Sequence, residues 1–273
     1  MYYQDGLQKN VKNPRKTWKL FNEIIGRGEK TNNIKEIKEN NKILTDSFDI
    51  ANHFNSFFSS IGKKISDNIE NITKSHTDYL PPSNPPDLNF DIIVPTHIID
   101  ILKQTPPKSS VDIDGISSFL LKSVKEEISI PLAHIFNESL KGGIYPENFK
   151  TSRVIPIYKA GDCSSVDNYR PISLTSSIAK LLDKIVAIKL TNHLEINKLI
   201  NKHQFGFQKN SSTEHNLLHM TNFVSQALNE NKFCIGIFLD LKKAFDVVSH
   251  DILLSKLKKN WYYWQHVGMV SVI

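Results

Sequence analysis

FCIGIFLDLKKAFDVVSHDILLSKL, residues 233–257, carries the pattern that decides the fold. It opens on an uncharged apolar run, Phe233 to Leu239, reaches a single carboxylate at Asp240, and then turns polar. A short run rich in Ile and Phe predicts a buried strand. Ser249 or Asp251 predicts the start of an amphipathic helix ending near Lys259. A carboxylate at the end of a buried strand is well placed to hold a divalent cation at a cleft. Magnesium takes one or two such groups and fills its remaining positions with water and phosphate oxygens. Sites of phosphoryl and nucleotidyl transfer use metal ions in this setting to stabilise the attacking and leaving oxygens. A lone Asp that caps the following turn is the other reading of Asp240 by itself.

Upstream, SRVIPIYKAGD (residues 152–162) and YRPISL (residues 169–174) predict two short strands around a polar loop, followed by a helix within 175–200. The first 75 residues read as helices separated by polar turns. Trp18, Phe21, Ile24 and Ile25 recur at helical spacing until Gly26 and Gly28. Thr45 or Asp46 caps a second helix with an apolar stripe of Ile50, Phe54, Phe57, Phe58, Ile61 and Ile65. LPPSNPP (residues 80–86) reads as an extended linker. Beyond it, Thr96 caps a short helix, and two more are expected at about 117–126 and 131–141. Pro131 suits the first position of the latter, and Gly142-Gly143 its end. The order points to a mixed α+β fold.

Composition excludes several classes. The 273 residues are 40% hydrophobic and 23% charged, so a sizeable core is affordable. No apolar run approaches the roughly 20 residues of a bilayer span, and MYYQDGLQKN lacks the apolar core of a signal peptide. The chain is therefore expected inside the cell, in nucleus or cytoplasm, neither secreted nor transmembrane. Two distant cysteines, Cys163 and Cys234, argue against a disulfide scaffold or a zinc finger. Net charge is +6, and residues 151–273, with 15 basic and 9 acidic side chains, carry an excess equal to the whole. Such a block suits a polyanion, because each neutralised phosphate releases counterions. Only four of the 34 basic residues are arginine, a bias that A/T-rich coding also produces.

Other signals carry little. His215 and His219 are four apart, but Glu-His-x-x-x-His is not the metalloprotease order. GRGEKT (residues 26–31) lacks the spacing of a phosphate-binding loop, and Asp246 reads as a surface or helix-start acid.

Three motifs in order change the weight of Asp240: SRVIPIYKAGD with NYRPISLTSSIAKLLDKIV, then HQFGFQKNSST, then FLDLKKAFDVVSHDILLSKL. Together they resemble the reverse transcriptases of non-LTR retrotransposons, most closely the jockey-like elements. The likeness extends upstream through RKTWKLFNEIIG, DSFDIANHFNSFFSSIGKKI and VDIDGISSFLLK. It implies a right-hand polymerase fold, with fingers and an incomplete palm, preceded by a helical N-terminal region. It further implies an RNA template, a DNA primer, deoxynucleoside triphosphates and magnesium, with manganese as a substitute. Lys159 and Arg170 would contact the triphosphate, a point charge and a planar fork respectively. Asp240 matches the first palm aspartate, a metal ligand, assisted by the Leu241 carbonyl. Phe245 matches the ring that excludes a 2′-hydroxyl, and Gln204, Phe205, Gly206 and Phe207 match a motif packed near the template. A basic residue is common in the family where this chain has Gln208. Lys159 as a solvated turn lysine and Phe245 as a core phenylalanine are the alternatives.

The resemblance divides the chain into a helical N-terminal region (1–78), a proline-rich linker with a short helix (79–109), fingers and the start of the palm (110–260), and a divergent tail, WYYWQHVGMVSVI (261–273). The Phe-Ala-Asp-Asp type motif of the family palm is not found in the sequence. The expectation is thus a truncated polymerase without activity of its own. The Phe233–Leu239 strand, lacking its neighbour, would then be an aggregation hazard. The alternative is a noncatalytic RNA- or DNA-binding fragment of a mobile element.

Overall fold

The computed structural model describes residues 14–25, 34–39, 42–67, 88, 90–241, 243–245 and 247–260. Gly26 and Gly28, the 80–86 linker, Asp246 and the 261–273 tail lie outside these residues. The elements in order are α1 (Pro14–Ile24), β1 (Ile37–Glu39), β2 (Lys42–Leu44), α2 (Ser47–Ser66), α3 (Pro95–Gln104), α4 (Ser118–Ser123), α5 (Lys125–Gly142), β3 (Ser152–Tyr158), β4 (Tyr169–Thr175), α6 (Ser177–Ile196), α7 (Thr213–Asn229) and α8 (His250–Asn260). The chain is mixed helix and strand, as its patterns predict. Among the described residues no helix is long and apolar enough to cross a membrane.

The chain divides into two compact units, residues 1–58 with 155–172, and residues 59–154 with 173–273. In the first, β1 and β2 pair antiparallel, Ile37 opposite Leu44. Asp46 starts α2, its Oδ2 accepting the amides of Phe48 and Asp49 at 2.9 and 3.1 Å. Of the two expected caps, Asp46 therefore fills the role. One carboxylate satisfies two of the donors that a helix start leaves unpaired. The helix turns Ile50 and Phe54 onto a small core with Ile37, Val166 and Tyr169. Phe54 meets the Tyr169 ring edge-on, centroids 4.9 Å apart.

The core of the second unit is larger. Ile98, Ile101 and Leu102 of α3, Leu132, Ala133, Phe136 and Leu140 of α5, and Leu181, Leu182, Ile185 and Val186 of α6 close on one another. Each set repeats at three- and four-residue steps, which places it on one stripe of its helix. Asn137 anchors the chain entering α3, exchanging two 2.8 Å hydrogen bonds with the backbone of Ile93. Gly143 ends α5 at φ +62°, a left-handed conformation that glycine adopts without steric cost.

Several expectations need correction. The helical reading of the N-terminal residues had no β1–β2 pair, and α7 was not foreseen. Thr96 does not cap α3, which begins one residue earlier with Pro95 in its first turn. Pro131 lies inside α5, which starts at Lys125 because the 117–126 segment breaks at Val124. Phe233–Leu239 is not a buried strand. It joins no ladder, and its large side chains stand exposed, from 80% at Phe238 upward. Apolar composition provides strand propensity, whereas a ladder also needs a partner, and none of the described strands pairs here.

Candidate functional site

Strands β3 and β4 form a two-stranded sheet, so each is an edge and each tolerates a proline, Pro156 and Pro171. The loop between them is closed at its mouth, where the Lys159 amide donates to the Asn168 carbonyl at 2.8 Å. Lys159 and Arg170 flank that mouth, and both are exposed. Neither side chain is hydrogen-bonded or ion-paired with another described residue. Two cationic side chains of different geometry, carried on one hydrogen-bonded hairpin, suit the oxygens of a polyphosphate.

The loop owes its shape to Asp162, which the sequence reading passed over. Its Oδ1 accepts the amide of Ser164 at 2.9 Å and the hydroxyl at 2.7 Å. The Ser164 amide chiefly, with its hydroxyl and Lys38, holds the Asp162 carboxyl below its usual range. The signal that could have found it is Gly-Asp-x-Ser, a glycine followed by an Asx turn. Gly161 sits at φ +96°, and a Cβ there would stand 2.7 Å from Asn168 Nδ2.

The remaining sequence-assigned residues belong to the second unit. Residues 203–207 form a turned segment in which Gln204 Nε2 donates to the Gly206 carbonyl at 3.2 Å. Phe205 packs against His219 of α7, centroids 5.6 Å apart. Ser212 caps α7, accepting the amide of His215 at 3.3 Å. Phe207 has φ +58° and is turned outward, 93% exposed. Its ring meets Phe245 edge-on at 6.2 Å, bringing together a residue expected near the template and one expected at the nucleotide sugar, 38 positions apart. Phe245 is 82% exposed, which removes the alternative of a core phenylalanine.

Asp240 and Leu241 are exposed at the end of the apolar segment. Among the described residues no group of three or more His, Cys, Asp or Glu is gathered to hold a metal ion. No metal-dependent step is assigned to Asp240 and Leu241.

Residues 157–263 match the family described as reverse transcriptase (RNA-dependent DNA polymerase). This stretch, which contains Lys159, Arg170, Phe207, Asp240 and Phe245, is similar to reverse transcriptases. Its relatives are of the jockey-like, non-LTR kind. The chain is 34% identical over 163 residues to the probable RNA-directed DNA polymerase from transposon BS of Drosophila melanogaster, covering 59% of this chain and 18% of that protein. It is 29% identical over 191 residues to the RNA-directed DNA polymerase from mobile element jockey of the same fly, covering 70% and 21%. Over 117 residues it is 30% identical to the Pol polyprotein from the type-1 element R2 of Popillia japonica, covering 43% and 16%. The chain thus spans about a fifth of the length of these relatives.

Proposed function

We propose that the chain contributes the fingers hairpin and first palm segment of an RNA-directed DNA polymerase of a non-LTR retrotransposon. Its ligands are an RNA template, a DNA primer and deoxynucleoside triphosphates. The observation that carries this reading is the closed β3–β4 loop with Lys159 and Arg170 exposed at its mouth, inside the family-matched stretch. In this role Lys159 neutralises one phosphate and Arg170 clasps two oxygens with its planar fork. Phe207 and Phe245 offer an aromatic corner against which a sugar can pack, and a bulky ring there disfavours a 2′-hydroxyl sterically. Magnesium, or manganese in its place, belongs to a palm with more carboxylates than Asp240.

The test is equilibrium binding of a labelled deoxynucleoside triphosphate to the purified chain. Lys159→Ala with Arg170→Ala should weaken binding by at least about tenfold, the worth of a charge-assisted hydrogen bond. Unchanged binding in the double variant would overturn the assignment. A noncatalytic grip on RNA is the second reading, favoured by the same two exposed cations, which hold a phosphate backbone without chemistry. RNA binding that falls steeply with salt, without nucleotide incorporation, would select it.

A further inference from the structure

We propose that Asp162 is a positioning residue for the triphosphate contact, acting through the backbone that carries Lys159 and Arg170. The inference rests on the fingers-hairpin reading above.

Long cationic side chains lose rotamer freedom when they bind. What the surrounding protein can supply is a fixed origin for both stems. The ten residues from Lys159 to Asn168 would be a loose connection without internal ties. They are instead tied at several points, and the ties converge on Asp162. Its carboxylate holds Ser164 twice. Its backbone carbonyl accepts Asn168 Nδ2 at 2.9 Å, and the Asn168 carbonyl in turn takes the Lys159 amide at 2.8 Å. Ser164 then passes the restraint outward, its carbonyl accepting the Lys38 amide of β1 at 2.8 Å. The Tyr169 hydroxyl, one residue before Arg170, donates to the Cys163 carbonyl at 2.6 Å. Val166 and the Tyr169 ring anchor the loop in the core formed with Ile37, Ile50 and Phe54.

The Lys38 ammonium also faces Asp162 Oδ2 at 3.4 Å, but both side chains are more than half exposed. Such a surface pair contributes little. The hydrogen bonds to Ser164, and not the charge, therefore make Asp162 effective. Ile37, Lys38, Ile50 and Phe54, which the sequence places in the helical N-terminal region, become the support on which the nucleotide contact is built.

The test compares Asp162→Ala, Asp162→Asn and the Lys159→Ala/Arg170→Ala double variant in the purified 273-residue chain, with the same labelled triphosphate. Amide hydrogen exchange at Lys159 is followed in parallel. Asp162→Ala should weaken binding by about tenfold and speed exchange at Lys159. Asp162→Asn should restore both, since its amide oxygen still accepts from the Ser164 amide and hydroxyl. Thermal midpoints are measured beside binding: weakened binding at an unchanged midpoint supports positioning, and a loss of binding that only follows loss of the folded state overturns it. If the double variant weakens binding and Asp162→Ala does not, the positioning role is wrong and the nucleotide contact stands. Equal loss in the Ala and Asn variants would overturn it too, by showing that charge is what matters. If wild type and double variant bind alike, or neither binds, the nucleotide contact itself falls and the positioning role with it.

Discussion

Asp112 Oδ2 accepts the backbone amide of Ser177 at 2.5 Å, joining the turn before α4 to the first turn of α6 across 65 positions of sequence. Its Oδ1 accepts the amides of Asp114 and Ile116, both at 2.9 Å. One nearly buried carboxylate thus satisfies three backbone donors, including one that the start of α6 leaves unpaired.

Replacing Asp112 by Ala should cost about 3 kcal/mol in denaturant unfolding, because three donors lose a charged acceptor. Asn should cost less, since it keeps one accepting oxygen. Burial raises the Asp112 pKa, but the hydrogen bonds from Ser177, Ile116 and Asp114 outweigh it and leave the value lowered. A carboxyl lowered on folding contributes stability above its ordinary range and loses it as pH falls through the folded value. The stability gap between wild type and Asp112→Ala should therefore narrow below about pH 4. A gap that is constant with pH would refute this account.

Tyr145 and Asp183 behave in the opposite sense. The Tyr145 hydroxyl donates to Asp183 Oδ1 at 2.7 Å. Burial raises the Asp183 pKa, with the Tyr145 bond and Lys180 only partly offsetting it. A raised carboxyl costs nothing below its unfolded value, and its cost grows as pH climbs to the folded one. Asp183→Asn keeps the accepting oxygen and removes the charge, so at pH 7 it should match or exceed wild-type stability. Tyr145→Phe leaves the half-buried carboxylate without its donor and should lose about 1 kcal/mol. Thermal melts of both variants at pH 4 and pH 7 check the pair, and an Asn variant as damaged as the Phe variant would count against it.

The exposed 233–239 segment governs handling of the protein. Ile237 is 81% exposed within an uncharged, proline-free stretch, a template for pairing with other chains. Ile237→Lys should raise the soluble fraction at matched expression without lowering the unfolding midpoint, because the side chain buries almost nothing to lose. Equal solubility of both proteins would show that aggregation starts elsewhere.

If Asp240 is the first palm aspartate that the resemblance implies, template-primed DNA synthesis by a polymerase containing this segment should require it. Metal ions supply several kcal/mol of transition-state stabilisation, and each 1.4 kcal/mol or so is about tenfold in rate. Replacing Asp240 by Asn should therefore abolish incorporation of labelled nucleotide, and synthesis that survives the change would overturn the assignment.

The helices were legible where local chemistry is self-sufficient. Asp46 with the Ile50 and Phe54 stripe marks α2, and Ser249 starts α8, its Oγ accepting the amide of Ile252 at 3.3 Å. The β3–β4 hairpin was legible for the same reason: its strands are consecutive and its loop closes on itself. The β1–β2 pair was not, because strands of three residues rich in Lys and Glu have no period to read. Asp162 escaped notice because a loop aspartate is ordinary until its partners are known.

The motifs alone carried the resemblance to reverse transcriptases, since the order of Lys159, Arg170, Phe207, Asp240 and Phe245 survives any folding of the chain between them. Tertiary structure decided two further matters. It seated the Lys159–Arg170 loop on residues 34–58, and it left Phe233–Leu239 without a ladder. The physical reason is common to both. Propensity and motif order are local properties of the chain, whereas a buried core and a strand partner exist only when distant residues meet.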